Sequence, residues 1–189
     1  MELRPTGLDG VVELLAHRHG DSRGWFAEVF RDDVCRQAGI AIDWVQDNQS
    51  FSAEPGTLRG LHLQAPPFAQ DKLVRVLAGA ILDVAVDIRT GSPSYGRWLA
   101  VELSAAKLNA LLVPQGFAHG FMTLEPDTMV HYKVSAVYDP GSERAIAWDD
   151  PDLAIEWPAS LTPVLSDKDQ VAPPFSALGP VFRYAGASA

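Results

Sequence analysis

Three scarcities bound what this chain can be. It has one cysteine, Cys35. No intrachain disulfide is available, which fits a reducing compartment and excludes a disulfide-stapled secreted scaffold. No apolar run approaches the roughly 20 residues that a helix needs to cross a bilayer. Met1 to Gly10 also lacks the basic-then-apolar layout of a secretory signal. A soluble, cytoplasmic protein without a membrane partner is therefore expected. Basic residues are the third scarcity: 15 Lys and Arg stand against 24 Asp and Glu, for a net charge of -9 and a pI near 4.9. Non-specific nucleic-acid binding rests on neutralising phosphates, so no nucleic-acid partner is expected. A few cations gathered in one pocket could still hold a phosphorylated small molecule.

What the chain does have is strand. Its 189 residues are 47% hydrophobic, enough for one domain with a sizeable core. Leu73 to Ala80 and Ile81 to Ile88 are apolar stretches that meet near Gly79, as in a tight β connection. In the second, Leu82, Val84, Val86 and Ile88 alternate with Asp83, Ala85 and Asp87, close to period two. Trp25 to Phe30, Trp98 to Leu103, Ala110 to Val113, Gly116 to Leu124, Thr128 to Val137 and Arg144 to Trp148 read as further strands. Gly91 to Gly96 reads as a turn. Two helices are expected: Asp32 to Ala38, stopped by Gly39, and Ser104 to Asn109, opened by a serine N-cap. Many short strands between turns predict an all-β sandwich or barrel. From Asp150 the chain becomes proline-rich (Pro151, Pro158, Pro163, Pro173, Pro174), which predicts an irregular arm wrapping the barrel. A single domain over residues 1–189 follows, with the barrel at about 20–150, the arm at 151–189 and residues 186–189 unordered.

The chemistry centres on Arg59-Gly60-Leu61-His62-Leu63-Gln64 and on Lys72, ten residues beyond the histidine. A base and a fixed cation facing one cavity suit removal of a proton beside a ketone, because the cation stabilises the enolate oxygen. Each residue alone has an ordinary reading. A lone strand histidine is usually structural, but Gln64 shares a face with His62, and polar groups on an inward barrel face suggest a cavity. Lysine at a strand start is usually solvated. Alternation sets Lys72, Val74 and Val76 against Leu73, Arg75 and Leu77 without saying which face lines the cavity. Tyr132 is a candidate acid, although strand tyrosines often only pack. Asp169 is a candidate partner for the histidine, against a default of surface carboxylate. Arg23, Phe26 and Glu28 share a face if Gly24 continues the strand, offering a cation, an aromatic plane and an acceptor.

Pro114-Gln115-Gly116-Phe117-Ala118-His119 looks like the second half of a metal-binding cupin signature. The first half needs two histidines one residue apart and then a glutamate. Here it reads His62-Leu63-Gln64, with no acidic residue before Asp71. Three suitable protein ligands are missing, so no metal is expected.

Read in order, these stretches resemble one family, the dTDP-4-dehydrorhamnose 3,5-epimerases of the cupin-like jelly-roll class. The resemblance rests on Asp21 to Glu28, Gln46 to Ser50, Gly56 to Gln64, Gln70 to Val76, Asp83 to Arg89, Ser92 to Gly96 and Pro114 to Phe121. It continues through Tyr132-Lys133, Tyr138, Trp157-Pro158 and Leu165 to Asp169. It implies a double-stranded β-helix, or jelly-roll barrel, with short helices and an irregular C-terminal arm. It also implies a cofactor-independent homodimer acting on a dTDP-sugar. His62 would be the base, Asp169 its supporting carboxylate, Lys72 the enolate stabiliser and Tyr132 the opposing acid. Gln46, Asn48, Arg59 and His119 would line the sugar-diphosphate site, with Lys168 beside them. Tyr138 would contact the nucleotide. Phe26 and Glu28 would bind thymine and Arg23 the diphosphate, from the neighbouring subunit. Trp25 and Gln49 depart from the family's usual phenylalanine (or other apolar residue) and histidine. The alternatives are an epimerase acting at C3 or C5 alone, a metal-dependent cupin and a non-catalytic nucleotide-sugar binding module.

Overall fold

The computed structural model describes residues 1–186. Its first half runs β1 (Glu2–Pro5), β2 (Val12–Leu15), β3 (His19–Asp21), β4 (Gly24–Phe26), α1 (Asp32–Gln37), β5 (Gln46–Ser52), β6 (Leu58–Gln64) and β7 (Lys72–Ala78). There follow β8 (Ala80–Asp87), β9 (Arg89–Thr90), β10 (Trp98–Ser104), β11 (Asn109–Val113), β12 (Phe117–Thr123), β13 (Thr128–Val134) and β14 (Glu143–Ala145). The arm holds α2 (Asp167–Gln170), a single 3-10 turn (Phe175–Ala177) and β15 (Phe182–Arg183). Two antiparallel sheets face each other in the expected jelly roll. One is ordered β1-β2-β11-β7-β13-β5 and the other β10-β8-β12-β6-β14.

Three apolar layers hold the sheets. Val74, Val76, Ile81, Ala85, Phe117, Phe121 and Val130 fill the space between them. Leu73, Leu112 and Cys35 form a layer outside the six-stranded sheet, against Phe30 and Trp44. Leu61, Leu63, Val84 and Val86 form the third, outside the five-stranded sheet, where the arm covers them with Leu153, Trp157 and Phe175. Each such side chain fully buried contributes about 1.5–3 kcal/mol, so the arm is a structural layer and not a loose tail. It also inverts the usual reading of β8. The apolar residues Val84 and Val86 face outward under the arm, while Asp83 and Asp87, both fully buried, face inward.

Several expectations shift at their edges. Gly79 does make the tight connection between β7 and β8, at φ +76°. The strand expected over Trp25 to Phe30 stops at Phe26, the one over Thr128 to Val137 stops at Val134, and the one over Arg144 to Trp148 is instead β14. Ser104 to Asn109 is a turn between β10 and β11, not a helix. Ser104 Oγ does accept from the Lys107 amide, at 3.1 Å. However, both flanks are claimed by strand pairing, and so short a segment cannot propagate a helix. The barrel starts near residue 2 and not near 20, because β1 and β2 extend the six-stranded sheet. Of the expected unordered end, Ala187, Ser188 and Ala189 lie outside the described residues.

Candidate active site

The five-stranded sheet supplies one wall of a central pocket. His62 on β6 stands opposite His119 on β12. Towards Phe121 and Arg59 the register slips: β12 advances two residues while β6 advances three. The extra residue is a β-bulge, and it reverses side-chain parity. Arg59, which strict alternation would place opposite to His62, therefore lines the same cavity as His62 and His119. Gly60 makes this feasible. Its φ is +139°, and a Cβ there would lie 2.5 Å from the Gly120 Cα.

Each histidine on this wall is tied to a buried carboxylate. His62 Nε2 lies 2.6 Å from Asp169 Oδ1. Asp169 comes from the arm, on α2, whose N-cap Ser166 donates from Oγ to Asp169 Oδ2 at 2.8 Å. Burial alone would raise the Asp169 carboxyl, but the hydrogen bonds from His62 and Ser166 outweigh it and hold the carboxyl below its usual range. His119 Nε2 lies 2.8 Å from Asp83 Oδ1.

The six-stranded sheet supplies the facing wall. Val74 and Val76 join the layer between the sheets, so the Lys72 face is the inward one. Lys72 stands at its open end, with Nζ 3.4 Å from the His62 carbonyl. Burial pushes the ammonium down to about 8, opposed by the charges of Asp83 and Glu143. Tyr132 on β13 pairs with Val74 on one side and Asn48 on the other. Burial raises its hydroxyl above the ordinary value. Gln46 donates to Asn48 Oδ1 at 2.8 Å and accepts from the Tyr138 amide at 3.0 Å. Two adjoining cavities of about 340 and 380 Å³ share His62, Lys72 and Tyr132. Their combined size suits a nucleotide-sugar.

Glu143, which sequence reasoning missed, lies at the mouth. It accepts from Lys168 Nζ at 2.6 Å and from the Tyr138 hydroxyl at 3.2 Å. It opens β14, one residue before the strand expected there. Asp83 was visible only as the polar half of an alternating strand. Gln64, the residue that stands in for a metal ligand, is committed elsewhere. It donates to the Phe68 and Val137 carbonyls and accepts from the Asp139 amide. Among the described residues no group of three His, Cys, Asp or Glu side chains is arranged to hold a metal ion.

Three expected residues are not in this pocket. Arg23, Phe26 and Glu28 lie on and just after the β3–β4 hairpin, away from their own chain's cavity. Phe26 is 71% exposed, Arg23 pairs with Asp21 at 2.6 Å, and Glu28 lies 3.9 Å from Arg31.

The family model for dTDP-4-dehydrorhamnose 3,5-epimerase matches residues 5–177. The chain belongs to this family. It is accordingly an epimerase, an isomerase by reaction class. A dTDP-4-dehydrorhamnose 3,5-epimerase of Sinorhizobium fredii is 52% identical over 97% of this chain and 94% of its own length. The crystal structure of a Legionella pneumophila dTDP-6-deoxy-D-glucose-3,5-epimerase, in complex with dTDP-4-keto-L-rhamnose, superposes with a TM-score of 0.93 at 40% identity. That match covers 98% of this chain and 99% of the other. A 3'-monoepimerase from Streptomyces bikiniensis, in complex with dTDP-quinovose, gives 0.89 at 36% identity, over 96% and 93%.

Proposed function

We propose that this chain converts dTDP-4-dehydro-6-deoxy-D-glucose to dTDP-4-dehydro-L-rhamnose by inverting C3 and C5, without metal or cofactor. The observation that carries this reading is the opposition of His62 and Tyr132, which come from facing sheets onto one cavity with Lys72. The C4 ketone makes the protons on both neighbouring carbons removable. His62 takes such a proton, and Asp169 stabilises the imidazolium that results. The Lys72 ammonium stabilises the enolate oxygen. At about 8 its proton affinity still leaves it mainly cationic at neutral pH. Tyr132, whose raised proton affinity keeps it a phenol, returns a proton to the other face and so inverts the carbon. A one-base exchange would return the proton to the face it left. Arg59, Lys168 and His119 line the cavity as a cationic and polar lodging for the diphosphate, with Gln46, Asn48 and Tyr138 alongside.

The working form in this reading is a cytoplasmic homodimer. The exposed hairpin supports it: Arg23, Phe26 and Glu28 can serve a nucleotide only in a neighbour's pocket. Because a 3'-monoepimerase shares the fold, likeness of fold does not separate one centre from two. Proton NMR in deuterated water does. The wild-type enzyme should incorporate deuterium at both C3 and C5 of the dTDP-4-keto sugar. Label and inversion confined to one carbon would make it a single-centre epimerase, and binding without any label would make it a nucleotide-sugar binding module.

A further inference from the structure

The Asp83 carboxylate has no place in the reaction as described above, yet it is the most enclosed charge near the pocket. It lies on β8, facing inward, with no exposed surface. One oxygen meets His119 Nε2 at 2.8 Å, while the other, Oδ2, is buried without a hydrogen-bond partner among the described residues. A buried carboxylate oxygen left unpaired is costly, and in a pocket wall it usually signals function. A structural role alone would be met equally well by an asparagine, which pairs with a ring nitrogen and carries no charge to bury.

We infer that Asp83 is a positioning residue of the proposed epimerisation: it fixes the His119 ring through Nε2 and sets its buried, otherwise unpaired carboxylate in the pocket wall as a counter-ion to Lys72. Among the groups around Lys72, Asp83 is the largest counterweight to burial. Glu143 from β14 acts in the same sense and Lys168 from α2 in the opposite one. His62, Arg59, His119, Tyr132 and Asp169 face the same cavity. Asp83 is thus the second of two histidine–carboxylate pairs in the site. The first pair prepares a base, and the second holds a ring and a cation for the developing enolate.

This inference rests on the epimerase reading, and the test separates the two. Asp83→Asn is compared with wild type by pH profiles of kcat and KM on the dTDP-4-keto sugar. The variant should lose about 10- to 100-fold in kcat with KM little changed. Without the Asp83 charge the Lys72 proton is held less tightly, so the alkaline limb of the kcat profile moves to lower pH, while the acid limb stays in place. Asp83→Glu, which keeps the charge, should bring the alkaline limb back towards the wild-type position. A folded Asp83→Asn enzyme with an unmoved alkaline limb overturns the inference. If Asp83→Asn does not fold, NMR of wild-type protein carrying lysine labelled at Cε decides, with Lys72→Arg assigning the signal. An ammonium at neutral pH supports the inference, and a neutral amine overturns it. Failure of the wild-type enzyme to turn over the sugar would instead sink the epimerase reading.

Discussion

The two walls of the pocket are prepared by different physics. On the five-stranded side each histidine is clamped by a buried carboxylate, His62 by Asp169 and His119 by Asp83. On the six-stranded side Lys72 and Tyr132 lack such clamps. Burial is the main cause that moves them, the lysine down to about 8 against the charges of Asp83 and Glu143, and the tyrosine up. Hydrogen bonding orients a ring and stabilises its charged form, whereas desolvation favours whichever form is neutral. A proton acceptor that must become a cation benefits from the first treatment. An acid that must hold its proton until the enolate forms benefits from the second.

Breaking the clamped wall should have the largest effect. His62→Asn leaves no base, so kcat should fall by about 10³- to 10⁴-fold. Exchange of the sugar's C3 and C5 protons with deuterated water should stop with it. Exchange that continued at the wild-type rate would place the base elsewhere. Tyr132→Phe should cut product formation by about 10²-fold. Here exchange should survive, since His62 can still remove and replace a proton on its own face. Inverted product at near wild-type rate would show that another acid serves.

Asp169→Asn tests the clamp itself. The amide would favour the wrong tautomer of His62, so kcat should fall by about 10- to 100-fold. Stability adds a separate signature. The Asp169 carboxyl is held below its ordinary 3.8, so its ionised form stabilises the fold above that pH. This contribution is lost as pH falls below 3.8 towards the folded-state value. Urea unfolding should therefore show wild type losing stability more steeply than Asp169→Asn between about pH 5 and about pH 3. Parallel losses would mean that the pair contributes nothing to the fold.

Legibility in the sequence followed the same divide between local and long-range causes. The pairing of β7 with β8 could be read because Gly79 and two alternating runs act locally. His62 and Lys72 could be placed on strands, yet which face of Lys72 pointed inward needed the second sheet. Asp83 could be seen only as the polar half of an alternating strand, because nothing local reveals that the arm covers the other side. Arg59 joined His62 through a bulge whose one visible sign is Gly60, and strict alternation would have set them apart. Asp169 could be assigned to His62 only by resemblance, since 107 residues separate them. The physical reason for their meeting is the arm's apolar layer, Leu153 and Trp157 before α2 and Phe175 after it, which holds the chain against the sheet on both sides of α2.

The smallest expected effect sharpens the contrast between the pocket and the hairpin. Phe26 is 71% exposed and supports no core layer. Phe26→Ala should therefore change folding stability by no more than about 0.5 kcal/mol. If the ring stacks on a nucleobase in a neighbour's pocket, losing it removes about 1–3 kcal/mol of binding, so KM should rise by about 5- to 150-fold. The rate constant kcat should hardly move, since the reacting carbons lie at the other wall residues. The same geometry predicts rescue between subunits. Chains carrying Arg23→Ala and chains carrying His62→Ala should regain activity when mixed and exchanged. One of the two sites in each mixed dimer then combines an intact hairpin with an intact base. No rescue after demonstrated exchange, together with an unaltered KM for Phe26→Ala, would confine each site to one chain. The hairpin's exposed aromatics would then need another explanation.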